Sequence, residues 1–182
     1  MTMQNSDAAW DALLAGDVDA AIGYVPSEQQ QQRLKEQGIT LQKIGTDALV
    51  IVAGGTEQPI ALTKSEVLQA FAQQSDTWKG YAAAKNSDSR KLFAAVFGQD
   101  CAALMQNGQP EQTTVVTVDG KLPDEDGYAL TCDVYAAVRQ DAQPNDAETV
   151  FVNWLATEKG MAWLHEAIQG TLTQETQMPD AS

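Results

Sequence analysis

Cysteine and histidine are scarce in this chain of 182 residues, which holds two cysteines and one histidine. Cys101 and Cys132 lie far apart, and neither has a histidine or cysteine at metal-ligand spacing. This argues against a zinc site and leaves two structures open, namely two buried thiols or one disulfide. The histidine, His165, lies among apolar residues of a predicted helix. Without a second histidine or a nucleophile pattern, Ser-His-Asp and Cys-His catalysis have no support, and we expect no enzymatic activity.

Basic residues are also few: 11 Lys and Arg stand against 25 Asp and Glu, which gives a formal net charge of −14. An acidic surface repels phosphate backbones and anionic headgroups, so binding to nucleic acid or to membrane surfaces is disfavoured. No apolar run in the sequence approaches the roughly 18 residues that span a bilayer. The N-terminus lacks the basic and then apolar segment of a signal peptide. We therefore expect either a cytosolic protein or a mature or excised part of an exported one.

The clearest structural signal lies in residues 41–71. Leu49–Ala53 is a continuous apolar run rich in β-branched residues, which predicts a strand buried on both faces. Gly54 and Gly55 end this run. Thr63 and Glu66 then have the spacing of a capping box and predict the start of a helix. The apolar stripe of that helix consists of Val67, Leu68 and Phe71.

Helix and strand signals alternate along the rest of the chain, which indicates an α/β fold. Ser6 is expected to cap a first helix, Ser27 with Gln30 a second and very polar one, and Asn145 a late one. The late helix is expected to turn Val150, Phe151, Trp154 and Leu155 inward. The four tryptophans, Trp10, Trp78, Trp154 and Trp163, are expected to be core or lobe-packing residues. The other predicted elements are strands at 18–25, 113–118 and 128–138, a loop at 106–112, and helices starting near Asn86 and Thr157.

The order of these elements resembles the phosphate-binding subunit of ABC transporters, in the type II periplasmic binding protein family. Four stretches carry the resemblance. They are the helix and strand AWDALLAGDVDAAIGYVPSEQ, the strand with its Pro-containing turn and "LTxxEV…F" at 41–71, the Thr77-Trp78-Lys79 turn, and residues 128–170, which are similar to "YPLxxxxYxxV … FxxWLxSxxG".

The resemblance implies two small α/β lobes that close over an oxyanion by a hinge motion, without enzymatic activity or cofactor. Lobe 1 would comprise about residues 1–47 and 119–182, and lobe 2 about 48–118, with chain crossings near 45–50 and 118–130. Nothing here corresponds to the family's first strand and helix with their Ser/Thr oxyanion loop, so we expect a fold that is incomplete at the N-terminus. The implied partners are a small, phosphate-like oxyanion and an ABC permease or another membrane component. The implied location is extracytoplasmic.

Asn86-Ser87-Asp88-Ser89-Arg90 is the best candidate for a ligand site, where the family has a Gly-Ser-Gly-Thr-Arg-like loop before a helix. Helix N-termini favour anions, and serine hydroxyls can donate to anion oxygens. Ser87, Ser89 and Arg90 keep the chemistry of the family positions, whereas Asn86 and Asp88 replace its glycines. The alternative is structural: Ser87 is then an ordinary N-cap and Asp88 a first-turn acid.

Tyr24 is a second candidate, because it lies at the C-terminal end of a predicted strand, where the family has a polar or acidic ligand group. The alternative is a packing tyrosine. At the level of the whole chain, the alternative to a solute-binding domain is a degenerate member of the same fold. Such a domain would serve as a protein-interaction or scaffold module without a ligand.

Overall fold

The computed structural model describes residues 5–56, 58–82, 87–99, 101–102, 104–105, 113–164 and 166. The chain divides into two compact units, unit 1 with Met1–Gly45 and Asp133–Ser182 and unit 2 with Thr46–Cys132. Within the described ranges, no helix has the length and hydropathy needed to cross a membrane. The helices are α1 (Ser6–Ala15), α2 (Glu28–Glu36), α3 (Lys64–Phe71), α4 (Asp88–Phe97) and α5 (Ala147–Leu155), and residues 158–164 are also helical. The strands are β1 (Ala20–Tyr24), β2 (Gln42–Ala48), β3 (Val52–Gly54), β4 (Ile60–Leu62), β5 (Tyr81–Ala82), β6 (Leu104–Met105), β7 (Thr113–Val118) and β8 (Thr131–Val138).

Unit 1 is built around a three-stranded sheet of order β1-β8-β2, in which β1 runs antiparallel to β8. Ala136 and Ala137 of β8 are both fully buried, and successive strand residues point to opposite faces. Helices therefore cover both faces of this sheet. Ala137 belongs to a core cluster with Trp10, Leu13, Leu14, Ala21, Leu34 and Ile39, and Ala136 to one with Ile44, Val152 and Leu155.

The polar helix α2 is held by its glutamines as well as by Leu34. The predicted helix start at Ser27 and Gln30 is confirmed, and the two residues form a capping box. The buried Gln30 side chain also donates from Nε2 to the carbonyl of Asp7 at 3.1 Å and to Oδ1 of Asp11 at 3.0 Å. A buried amide needs such partners, and here they bind α2 to α1.

Unit 2 contains a mixed sheet of order β3-β7-β4. Strand β3 pairs antiparallel with β7, with Val52 opposite Val115, whereas β4 pairs parallel, with Ile60 opposite Val116. The predicted capping box of α3 is confirmed: Thr63 accepts from the amide of Glu66, whose carboxylate accepts from the amide of Thr63. A separate pair, β5 and β6, is parallel.

The prediction of a fully buried strand at Leu49–Ala53 is wrong. The strand β3 begins only at Val52, and burial alternates along the run: Leu49 and Ile51 are buried, whereas Val50 and Val52 are exposed. The physical reason is that β3 pairs antiparallel with β7, and an antiparallel pair can have one face on the core and the other towards solvent. Only one of its faces is covered, which gives a period of two.

Two predicted helix starts are each displaced by one residue. Asn5 caps α1 through its side chain, and Ser6 is instead buried, with its Oγ accepting from the amide of Tyr24 at 3.2 Å. The N-cap of α5 is Asp146 rather than Asn145. The Asp146 carboxylate accepts from the amide of Gln143 at 2.7 Å and not from the first turn of α5.

The predicted inward face of α5 is also wrong in part. Leu155 is buried, together with Val152, but Val150, Phe151 and Trp154 are exposed. Trp163 is exposed as well, whereas Trp10 is fully buried and Trp78 is half-buried. Both cysteines are free thiols, which excludes the disulfide alternative. Asn86, His165 and the predicted loop at 106–112 lie outside the described residues.

The chain crosses between the units within β2 and again between Cys132 and Asp133 of β8. The expected division into two lobes stays a prediction. Residues 119–132 stay with unit 2 because their backbone and side chains bond there. The amide of Leu49 donates to the carbonyl of Leu130 at 2.8 Å, and the hydroxyl of Tyr128 donates to the carbonyl of Leu49 at 3.0 Å.

Candidate functional site

The candidate site lies at the N-terminal end of α4 in unit 2, and aromatic packing fixes this helix. Leu92 and Phe93 are buried on its inner face. The ring of Phe93 lies 5.3 Å from that of Phe71 on α3 and 4.5 Å from that of Phe97, measured between centroids. Gly98 ends α4 in the left-handed conformation, with φ of 68°. The first turn of α4 is therefore presented by a helix that is anchored along its length.

Ser87 occupies the N-cap position of α4, but its side chain does not cap the helix. The residue has extended backbone angles, and its carbonyl accepts from the amides of Arg90 at 3.1 Å and Lys91 at 3.3 Å. Its hydroxyl accepts no bond from the first-turn amides. Instead, Oγ of Ser87 lies 3.1 Å from Oγ of Ser89, and either hydroxyl could be the donor. The two hydroxyls thus form a pair beside the positive end of the helix.

Arg90 is half-buried, and its guanidinium is fixed by a backbone carbonyl. Nη1 donates to the carbonyl of Cys101 at 2.7 Å. A guanidinium carries five N–H donors, so this bond uses one of them. No sequence signal points to Cys101 as the partner, because a contact to a main-chain oxygen of a separate segment depends on the tertiary fold alone.

Asp88 adds a negative charge to the first turn. A carboxylate there is stabilised by the positive end of the helix and repels a fully ionised anion. Such an arrangement favours anions that carry a proton, which can be donated to the carboxylate.

Tyr24 belongs to unit 1, whereas Ser87, Ser89 and Arg90 share one turn in unit 2. Its backbone is fixed on both sides, since its amide donates to Oγ of Ser6 and its carbonyl accepts from Nε1 of Trp10 at 2.9 Å. Its ring is half-buried.

Among the residues that the structure describes, no group of three or more His, Cys, Asp and Glu side chains could hold a metal ion. The groups at the start of α4 are two hydroxyls, a guanidinium, a carboxylate and a helix N-terminus. The hydroxyls, the guanidinium and the helix N-terminus can bind an anion, whereas the carboxylate opposes a fully ionised one.

Two solved structures share the fold of this chain. One is a protein from Clostridium perfringens, named as a phosphate ABC transporter substrate-binding protein and solved with bound phosphate. It aligns with a TM-score of 0.65 and 13% identity over 86% of this chain and 80% of its own. The other is an ABC-type phosphate transport receptor from Vibrio cholerae, with a TM-score of 0.63 and 15% identity over 88% of this chain and 83% of its own.

The fold is that of the type II periplasmic binding proteins. No protein-family model matches the chain, and no curated protein sequence matches it. At 13–15% identity the likeness establishes the architecture, and the ligand has to be argued from the chain's own residues.

Proposed function

We propose that this protein is a non-enzymatic solute-binding domain that takes a small oxyanion of the phosphate class at the first turn of α4. The observation that carries the proposal is the pair of hydroxyls of Ser87 and Ser89, 3.1 Å apart at a helix N-terminus. The fold around them is shared with a protein solved with phosphate bound. In this proposal both hydroxyls donate to anion oxygens and Arg90 supplies a positive charge.

The wider role follows from the same proposal. Both structural neighbours are named as ABC transport proteins, which supports a role in ABC-type uptake or sensing. We therefore also propose an extracytoplasmic location and an ABC permease or another membrane component as partner. Units 1 and 2 are the two lobes in this proposal.

Calorimetric titration with phosphate, sulfate and molybdate tests the ligand. Phosphate is expected to bind more tightly than sulfate, because hydrogen phosphate has a proton to donate to Asp88 and sulfate at neutral pH has none. Asp88→Asn should weaken this preference by removing the carboxylate that repels sulfate. A folded protein that gives no heat with any of the three anions would show that the proposal is wrong.

The double variant Ser87→Ala/Ser89→Ala tests the residues. Each hydroxyl bond to a charged group contributes about 1.5–3 kcal/mol, so phosphate affinity should fall at least tenfold. Stability should change little, since neither hydroxyl caps a helix amide. Ser65→Ala, at an exposed position of α3, is the matched control and should leave phosphate binding unchanged.

A second candidate function keeps the fold and drops the ligand, leaving a protein-interaction or scaffold module. The bond from Arg90 to the carbonyl of Cys101 favours it, because the guanidinium then has a structural role. Asp88 favours it too, since the carboxylate opposes an ionised ligand. In that case Arg90→Ala lowers stability by about 1–3 kcal/mol, and no anion shifts the melting temperature of either protein.

A further inference from the structure

Helix α5 of unit 1 is apolar on two opposite faces. Val152 and Leu155 point into the core with Ile44 and Ala136. The opposite side exposes large apolar side chains, although a helix that is apolar all round is normally buried. Four of them, on α5 and on the helical stretch 158–164, have between 38% and 54% of their surface exposed, and we call them the aromatic face: Val150, Phe151, Trp154 and Trp163.

The three rings of the aromatic face form one continuous surface. The rings of Phe151 and Trp154 are stacked, with their centroids 6.2 Å apart and their planes at 25°. The rings of Trp154 and Trp163 are tilted, with their centroids 5.5 Å apart and their planes at 59°. Gly160 brings the two helical segments together, since a Cβ added there would lie 2.6 Å from Cα of Leu155. Clustered exposed aromatic side chains mark interaction sites, and tryptophan is enriched among residues that dominate binding energy.

Charge decides what kind of partner fits this face. Glu158 and Glu166 are exposed on the same helical segments, beside a single basic residue, Lys159, at 158–164. The whole chain carries a formal charge of −14. A second copy would bring the same negative charge and repel the first, and an anionic membrane would be repelled as well. A cationic partner is attracted, and its Lys or Arg side chains can stack on the faces of the tryptophan rings.

We propose that the aromatic face of unit 1 binds a basic, amphipathic segment of a partner protein. The apolar side of that segment covers Phe151, Trp154 and Trp163, and its basic side chains pair with exposed glutamates of the same helical segments. This surface belongs to unit 1 and the candidate anion site to unit 2, so the proposal does not depend on oxyanion binding.

Peptide binding to the intact protein tests the proposal. The probe is a short synthetic amphipathic helix of leucine and lysine, and its control is the same peptide with glutamate in place of lysine. Titrations follow tryptophan fluorescence and the anisotropy of labelled peptide. The lysine peptide should bind saturably and protect tryptophan from acrylamide quenching, whereas the glutamate peptide should not bind.

Three variants separate specific docking from general attraction. Trp154→Ala/Trp163→Ala keeps the charge and should weaken binding of the lysine peptide roughly tenfold or more. Phe151→Ala should also weaken binding of the lysine peptide. It replaces the double variant in the test if the double variant does not fold. Tyr81→Ala removes an aromatic residue that is exposed in unit 2 and should have no effect.

Glu158→Lys/Glu166→Lys should also weaken binding of the lysine peptide and make that binding less dependent on salt. Equal binding by wild type and the aromatic variants would overturn the proposal, because attraction would then be general. Sedimentation of the free protein as a dimer that the same aromatic variants dissociate would overturn it too, since the occupant would be a second copy.

Discussion

The hydroxyl of Tyr128 is buried in unit 2, and it determines how the protein responds to alkaline pH. It donates to the carbonyl of Leu49 at 3.0 Å, and burial raises the pKa of Tyr128 to about 12. Below pH 10 the tyrosine is protonated in both native and unfolded chains, so its contribution to stability is complete. Between pH 10 and 12 only the unfolded chain releases the proton, and stability falls.

Urea unfolding of wild type and Tyr128→Phe at pH 8 and near pH 12 measures this effect. At pH 8 the variant should lose about 1–3 kcal/mol, because the buried carbonyl of Leu49 loses its donor. Towards pH 12 wild type should lose on the order of 2 kcal/mol more than the variant, since the variant has no phenol to ionise. The exposed Tyr81 provides the control, and Tyr81→Phe should follow the wild-type curve. Parallel pH curves for wild type and Tyr128→Phe would contradict the prediction.

The sequence predicts which residues lie together at the start of a helix. It does not predict hydrogen-bond partners that are far away in the sequence. The sequence predicts that Ser87, Ser89 and Arg90 lie at the polar N-terminus of a helix, and they lie at the start of α4. The bond from Arg90 to the carbonyl of Cys101 depends on how separate segments pack. The same is true of Ser6. Its hydroxyl could cap a helix, but it accepts a hydrogen bond from the amide of Tyr24 on β1 instead.

At the scale of elements, the capping box of α3 has a pH-dependent effect on stability. Hydrogen bonds from the backbone and side chain of Thr63 hold the pKa of Glu66 below its ordinary value of 4.5. The stability that the ionised Glu66 carboxylate contributes is therefore present above pH 4.5, and it is lost as pH falls through the lowered pKa of Glu66 in the native protein. Thr63→Ala should cost about 1 kcal/mol at pH 7.

Thermal melts from pH 7 down to about pH 2 measure that difference. The gap in melting temperature between wild type and Thr63→Ala should shrink as pH falls through the lowered pKa of Glu66, because the carboxylate then loses its charge. Ser65→Ala, which changes an exposed residue in the same turn, should be neutral or slightly stabilising. A gap of constant size over this whole pH range would show that the carboxylate does not contribute.

Helix starts of this kind depend on residues three apart, so the starts of α2 at Ser27 and of α3 at Thr63 could be predicted from the sequence. Burial of whole elements could not. Leu49–Ala53 has the composition of a strand buried on both faces, but Leu49 and Ile51 are buried whereas Val50 and Val52 are exposed. The outer face of α5 has the composition of a core, and the tertiary fold leaves Phe151 and Trp154 exposed.

For the whole molecule, the formal charge of −14 opposes compactness through self-repulsion. Raising NaCl from about 0.01 M to about 0.15 M shortens the screening length from about 30 Å to about 8 Å. Melting temperature should rise by about 2–4 °C, which corresponds to relief of about 1 kcal/mol in a protein of this size. The melting temperature measured by calorimetry in NaCl reports the effect of screening alone. Phosphate at equal ionic strength should raise the melting temperature further if it binds at the first turn of α4. A melting temperature that falls with NaCl would contradict the prediction.

The pairing of β1 with β8 also sets the order in which the two units can form during synthesis. Tyr24 lies opposite Val134, so the sheet of unit 1 stays incomplete until the ribosome has made the whole of unit 2. Unit 2 is one continuous segment with shorter loops to close, and it can fold first. Until β8 has been made, the apolar faces of α1 and β1 stay uncovered. The nascent chain can aggregate or bind chaperones through these faces during that time.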